Sequence, residues 1–227
     1  TIFAYIATLW RGSIEFSTPM MFSLGMIAVF LIGGVTGIIN GSAPADIYVH
    51  DTYFVVAHFH YALIPPVLFS LFAGIYFWYP KMFGRHMNSL LGHVHFWGTF
   101  VFMNVTFIPQ FQMGLLGHQR RIADPSTVYA LGAIQDLHIL STIGAVGLLL
   151  FQVPFIVNFF GSLFFGKKAE RNPWRANTLE WSVPSPPPHG NFEGVPVVYR
   201  GPYEFSRPDR ADDWWPQDVP PEETRTR

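Results

Sequence analysis

The sequence predicts an all-α fold: a polytopic transmembrane helix bundle of four full spans plus the end of another, followed by an irregular polar C-terminal tail. Three observations predict it. Charged residues make up 13% of the 227-residue chain, about half the ~25% of ordinary soluble domains. They are also unevenly placed, ten before Lys167 and nineteen from Lys167 to Arg227. The first part then divides into charge-poor blocks, each holding the ~20 apolar residues that a helix needs to cross a bilayer.

The elements follow in order. Thr1 to Trp10 is apolar but too short to span, and it lacks the basic front of a signal peptide. It reads as the end of a helix, so the chain looks like a fragment of a larger protein. The first full span is expected at about 17–40, where Gly33, Gly34 and Gly37 suggest close helix packing. The second is expected at 52–79, since no Asp, Glu, Lys or Arg occurs from Thr52 to Pro80. Pro65 and Pro66 remove backbone donors within it and predict a kink. The third is expected at about 90–111. The fourth, at about 128–165, contains one charge, Asp136. Buried helices of a soluble protein are a poor alternative for four such blocks separated by short charged turns. Residues 1–166 are thus the membrane part and 167–227 the tail, with Ser185-Pro186-Pro187-Pro188 inside it and a disordered end from Asp209.

Lysine and arginine in the connections set the orientation. Arg11, Lys81, Arg85, Lys167, Lys168 and Arg171 fall on one side if the spans alternate. That side, and the tail with it, is therefore cytoplasmic. The other side carries Asp46, Asp51 and Asp124, together with two exceptions, Arg120 and Arg121. Lipid phosphates attract arginine at either surface; a fixed anionic group of a cofactor is the sharper explanation. A net charge of −1 without a basic cluster gives no sign of nucleic acid. The absence of cysteine excludes disulfides and thiolate metal sites in this chain.

The most informative stretch is His50-Asp51-Thr52-Tyr53-Phe54-Val55-Val56-Ala57-His58-Phe59-His60. Metal-capable side chains inside a membrane helix are costly and mark function. At ~100° per residue, His58 and His60 point ~200° apart, onto opposite helix faces. One ion cannot easily take both, whereas two flat metal cofactors on either side of the helix can. Imidazole is a standard axial ligand of heme iron. If the helix runs back without a break, its rise puts His50 ~12 Å along the axis from His58. His50 and Asp51 would then lie at the outer surface, where carboxylate, imidazole and water can hold a hard cation. Arg120 and Arg121 are expected at that surface too, able to pair with carboxylates as bidentate donors. Elsewhere, His93 and His95 suit an interfacial or hydrogen-bonded role rather than metal ligation, His138 with Asp136 a packing or water-network role rather than a proton-loading one, and His86, His118 and His189 read as solvated loop residues.

The run from His50 to Tyr61 resembles the tenth-helix signature of subunit I of heme–copper cytochrome c oxidases of the A type. The resemblance extends over Ala7-Thr8-Leu9, Gly34-Val35-Thr36-Gly37, Asn104-Val105-Thr106-Phe107, Pro109-Gln110 and Arg120-Arg121, and into the tail at Thr178-Leu179-Glu180-Trp181 and Ser185-Pro186-Pro187-Pro188. It implies the part of that subunit from the end of its eighth helix through its twelfth. By this resemblance His58 is the proximal ligand of the high-spin heme A, where oxygen is reduced. His60 is an axial ligand of the low-spin heme A, and Phe59 lies between the two. His50 and Asp51 match ligands of a magnesium ion shared with subunit II, and Arg120 and Arg121 match the arginines that bind heme propionates. The copper ligands belong to helices that precede this stretch. The implied activity is reduction of O2 to water with electrons from cytochrome c, coupled to proton pumping, as an oxidoreductase of the bacterial inner membrane rather than the mitochondrial one. Implied partners are subunits II and III, cytochrome c and membrane lipid. A quinol oxidase of the same superfamily shares most of these residues; a cofactor-free scaffold or transporter is the alternative from another class. Thr1 stands where the family's proton-path lysine is expected, and Pro65-Pro66 replaces a stretch of small residues.

Overall fold

The computed structural model describes residues 2–125, 132–204 and 213–221. Among these residues the regular structure is helical. In chain order it comprises α1 (Ile2–Leu9), α2 (Thr18–Gly41), α3 (Ala43–Val49), α4 (Tyr53–Ile64), a five-residue π-turn (Pro65–Phe69), α5 (Ser70–Phe83), α6 (Ser89–Leu115), α7 (Gly132–Leu150), α8 (Val153–Phe165) and a short 3-10 turn (Leu179–Trp181). Among the described residues, three stretches are long and apolar enough to cross a membrane: Thr18–Gly41, Tyr53–Phe83 and Ile134–Phe165. The chain is therefore an all-α membrane protein. α6, the expected third span, is 27 residues long and carries no Asp, Glu, Lys or Arg. Histidines, Asn104, Gln110 and Gln112 make it the more polar helix.

Local sequence explains most boundaries. Pro19 sits in the first turn of α2, where its missing donor costs nothing. At Pro65-Pro66, where a kink is expected, the helix passes into a π-turn, because two consecutive residues without N–H force the hydrogen-bond ladder into a wider register. The expected fourth span is interrupted between Leu150 and Val153. Pro154 cannot donate back into α7, and Gln152 N–H instead bonds the Leu149 carbonyl at 3.1 Å. The stretch before α4 also differs from expectation. α3 ends at Val49, and Asp51 adopts a left-handed backbone (φ 55°) before Thr52 caps α4, its hydroxyl accepting from Phe54 N–H. His50 and Asp51 thus lie on a turn, and the ~12 Å rise along one continuous helix does not apply.

The chain divides into two compact units. In the first, residues 1–76 and 89–158, α4 packs against both α2 and α6, and α7 lies along α6. Glycines permit these approaches. A Cβ on Gly33 of α2 would stand 2.8 Å from the Tyr61–Ala62 backbone of α4, and one on Gly114 of α6 only 2.1 Å from Phe54 N. The core is aromatic: Phe22 is fully buried against Phe69, Phe72, Tyr76, His95 and Phe96. His95, also fully buried, is hydrogen-bonded at both ring nitrogens, Nδ1 to Tyr76 (3.2 Å) and Nε2 to Gln152 (3.1 Å). This matches the role expected of it, whereas Nε2 of His93 is buried with no hydrogen-bond partner among the described residues.

The second unit, residues 77–88 and 159–227, is organised by Lys81. Its ammonium donates to the carbonyls of Arg171 (3.3 Å), Val183 (2.8 Å) and Pro184 (3.3 Å) and lies 5.0 Å from the Trp181 ring centroid. Phe77 accepts from Trp174 Nε1 and stacks on its ring. The tail is irregular but extensively bonded. Within the end expected to be disordered, residues 213–221 are described: Gln217 is buried, Trp215 N–H bonds Asn177, and Gln217 N–H bonds the Asn177 carbonyl. Residues 209–212 and 222–227 of that stretch lie outside the described residues. Lys81→Met leaves three acceptors without their donor and is expected to cost about 2–4 kcal/mol locally. Limited proteolysis across 171–184 checks this: cleavage should quicken several-fold, and an unchanged rate would contradict the clamp.

Candidate functional site

α4 presents its two histidines to different neighbours. His58 turns toward α2, where its Nδ1 lies 3.1 Å from Thr36 Oγ1. Thr36 has one hydroxyl proton, and carbonyls at Ile32 (2.8 Å) and Gly33 (3.1 Å) are within its reach. With that proton given to a carbonyl, Thr36 accepts from His58, which places the ring hydrogen on Nδ1 and the lone pair on Nε2. Gly37 makes room: a Cβ there would stand 3.1 Å from His58 Cε1. The glycine read only as a packing residue therefore also shapes the histidine's seat.

His60 turns toward α6. Its ring stacks on Phe107 at 4.3 Å between centroids and 19° between planes, and on Phe59 at 4.5 Å. Nδ1 lies 2.8 Å from the Val56 carbonyl. A carbonyl can only accept, so this nitrogen too carries the hydrogen and Nε2 the lone pair. Both imidazoles thus have the tautomer and anchoring typical of metal-ligating histidine, one nitrogen fixed by an oxygen acceptor and the other free to ligate. The two face different helices, as their spacing predicts. Asn40, one turn beyond Thr36 on the same face of α2, has both amide atoms buried and facing no hydrogen-bond partner among the described residues. This leaves a polar contact available beyond the His58 seat.

The beginning of α4 is stitched to the segment after α6. Thr52 and Gln119 form an antiparallel bridge, Tyr53 N–H bonds the His118 carbonyl at 3.0 Å, and Arg120 N–H bonds the Asp51 carbonyl at 2.9 Å. This brings together residues far apart in sequence, as the topology predicts. Arg120 closes on Asp51 Oδ1 through Nη2 at 2.6 Å and Nε at 2.8 Å. The hydrogen bond from Arg120, aided by its charge, holds the Asp51 carboxyl below the usual carboxylate range. The other oxygen, Oδ2, lies 3.4 Å from His50 Nε2. His50 Nε2 and Asp51 Oδ2 would offer an imidazole and a carboxylate to a divalent cation. They are only two donors. No group of three or more His, Cys, Asp or Glu residues able to hold a metal ion occurs among the described residues. Arg121 is exposed and, like Asp51, left-handed (φ 68°). Two non-glycine residues in this strained region at one small surface suggest a functional constraint.

One expectation fails here. His118 is fully buried, not solvated, with its Nε2 2.8 Å from Nε2 of His138. Its position just after a helix gave no hint of this, because the cover comes from α7, 20 residues away. Thr36 and Phe107, which fix the two histidines, occur in the resembling motifs but drew no role of their own.

Comparison with known proteins sets this arrangement in a family. The family model described as Cytochrome C and Quinol oxidase polypeptide I matches residues 1–147. The chain belongs to this family. It is 52% identical over 204 residues to a cytochrome c oxidase subunit 1 of Synechocystis sp., covering 90% of this chain and 36% of that protein. It is 45% identical over 206 residues to the corresponding subunit of Thermostichus vulcanus, again with 90% and 36% covered. To an alternative cytochrome c oxidase subunit 1 of Bradyrhizobium diazoefficiens it is 41% identical, covering 97% of this chain and 38% of that one. The chain thus spans somewhat over a third of the length of these relatives. A heme–copper terminal oxidase dimer solved by cryo-electron microscopy shares the fold, with a TM-score of 0.59 and 22% identity over 67% of this chain and 28% of that one.

Proposed function

We propose that the chain is part of the catalytic subunit of a terminal respiratory oxidase that reduces O2 to water with electrons from cytochrome c and pumps protons. The observation that carries this is the pair His58 and His60, each with Nδ1 held by an oxygen and Nε2 left to ligate, facing α2 and α6 respectively. His58 would hold the high-spin heme A and His60 the low-spin one, with Phe59 between them. When bound, these hemes supply the irons that carry electrons and bind oxygen. The protein residues do the rest. Thr36 fixes the His58 tautomer, Gly37 keeps its seat open, and Phe107 sets the His60 ring plane. Arg120 commits Nε and one Nη to Asp51. Its other donors, with those of Arg121, suit heme propionates. His50 and Asp51 supply two ligands for magnesium, with subunit II and water completing the shell.

The chain lies in the bacterial inner membrane, with α6 crossing as a fourth span and the basic side, including the tail, in the cytoplasm. Its partners are subunits II and III, cytochrome c and lipid; copper is held by parts of the subunit outside this stretch. The names of the relatives favour cytochrome c over quinol as donor, and the family match counts against a cofactor-free scaffold. Thr36→Val tests the His58 assignment in the assembled oxidase. It removes the acceptor and keeps the shape, so the iron–imidazole stretching frequency should shift with heme retained, and activity should fall ~10–100-fold as for other supporting partners of metal ligands. An unchanged frequency would contradict the assignment.

A further inference from the structure

His118 and His138 take no part in the site proposed above. His118 follows α6 and is fully buried; His138 lies on the second turn of α7 and is half-buried. Their Nε2 atoms are 2.8 Å apart and their rings are steeply inclined (73°). Tyr53 of α4 lies against both, at 4.6 Å from His118 and 5.7 Å from His138 between centroids.

Two nitrogens this close have room for one hydrogen, so one ring donates and the other accepts through its lone pair. One added proton, entering at Nδ1 of the donating ring, turns this into a charge-assisted bond, shorter and stronger than the neutral one. A second added proton would put hydrogen on both Nε2 atoms and two positive charges within 2.8 Å, which breaks the bridge. The geometry therefore favours one proton and rejects two. We propose that His118 and His138 form a single-proton binding site between the end of α6 and the start of α7, in which the two imidazoles take up and release one proton as a unit. Such coupled groups titrate with values that belong to the pair.

The surroundings set its charge balance. The segment of His118 carries Arg120, Arg121 and Asp124, α7 carries Asp136, and α4 contributes Tyr53. Asp51 with His50 is joined to the segment through the Thr52–Gln119 bridge. Burial lowers the proton affinity of His118, His138 adds to this, and a hydrogen bond with the Gln119 backbone opposes it. His138 is half-buried.

The test is a pH-difference infrared titration of the assembled oxidase, following imidazole ring bands identified by 15N-histidine labelling. Wild type is compared with His118→Gln, His138→Gln and the double variant; Asn replaces Gln in any variant that does not assemble. The expected result is uptake of one proton in wild type, displaced in pH in each single variant, where one imidazole remains, and abolished only in the double. Two separate titrations, one lost per variant and summing in the double, would overturn the proposal. So would spectra identical in all four proteins.

Discussion

His60→Ala, introduced into the assembled oxidase, is expected to abolish the low-spin heme signal, retain part of the high-spin signal and reduce oxygen consumption to background. The reason is local. The ring of His60 is stacked on Phe107 and tied to the Val56 carbonyl, so its Nε2 is the atom this face of α4 offers to a metal. Alanine removes that ligand and leaves a ring-sized void. His58→Ala should do the converse, since His58 faces α2 through Thr36 and Gly37. The two losses should be separable because the side chains contact different helices. Loss of both signals in equal measure in each variant would contradict the separate assignment of the two histidines.

Gly114→Val is expected to prevent assembly. A Cβ at this position would stand 2.1 Å from Phe54 N and 2.7 Å from Phe54 Cα, which are backbone atoms that cannot rotate away. Overpacking costs ~1–3 kcal/mol where side chains can adjust, and here the whole start of α4 must move instead. That movement would pull the Thr52–Gln119 bridge apart and separate Asp51 from Arg120. Gly34→Ala is the control. Nothing lies within 4 Å of its Cβ, and alanine favours helix by up to ~1 kcal/mol. Heme content per assembled complex and the yield of complex measure both. A normal yield for Gly114→Val would contradict the close packing of α4 on α6.

The two α4 histidines were legible in the sequence because helical periodicity alone puts positions two apart on opposite faces. That Asp51 and Arg120 fall at the same end of the spans was legible through topology, but the ion pair between them was not, because the arginines read as partners for heme propionates. Nor was the detailed geometry of these residues legible. Periodicity carries α4 back through His50, but Asp51 takes a left-handed conformation that ends the helix axis there. The interruption before Val153 was obscured by an apolar run that continues across Pro154. Burial of His118 was hidden because a long-range partner, His138, supplies the cover. In the tail, charge counts suggested disorder, while the apolar Trp215 and the buried Gln217 return to the Asn177 backbone and side chain.

Central to this account is that α4 holds two hemes, one on each face, through His58 and His60. The most direct test is the reduced-minus-oxidised optical spectrum of the purified parent complex, wild type beside His58→Ala and His60→Ala. Two heme components in wild type, each lost in a different variant, is the predicted result. A wild-type spectrum without heme bands, or one unchanged by both substitutions, would contradict it.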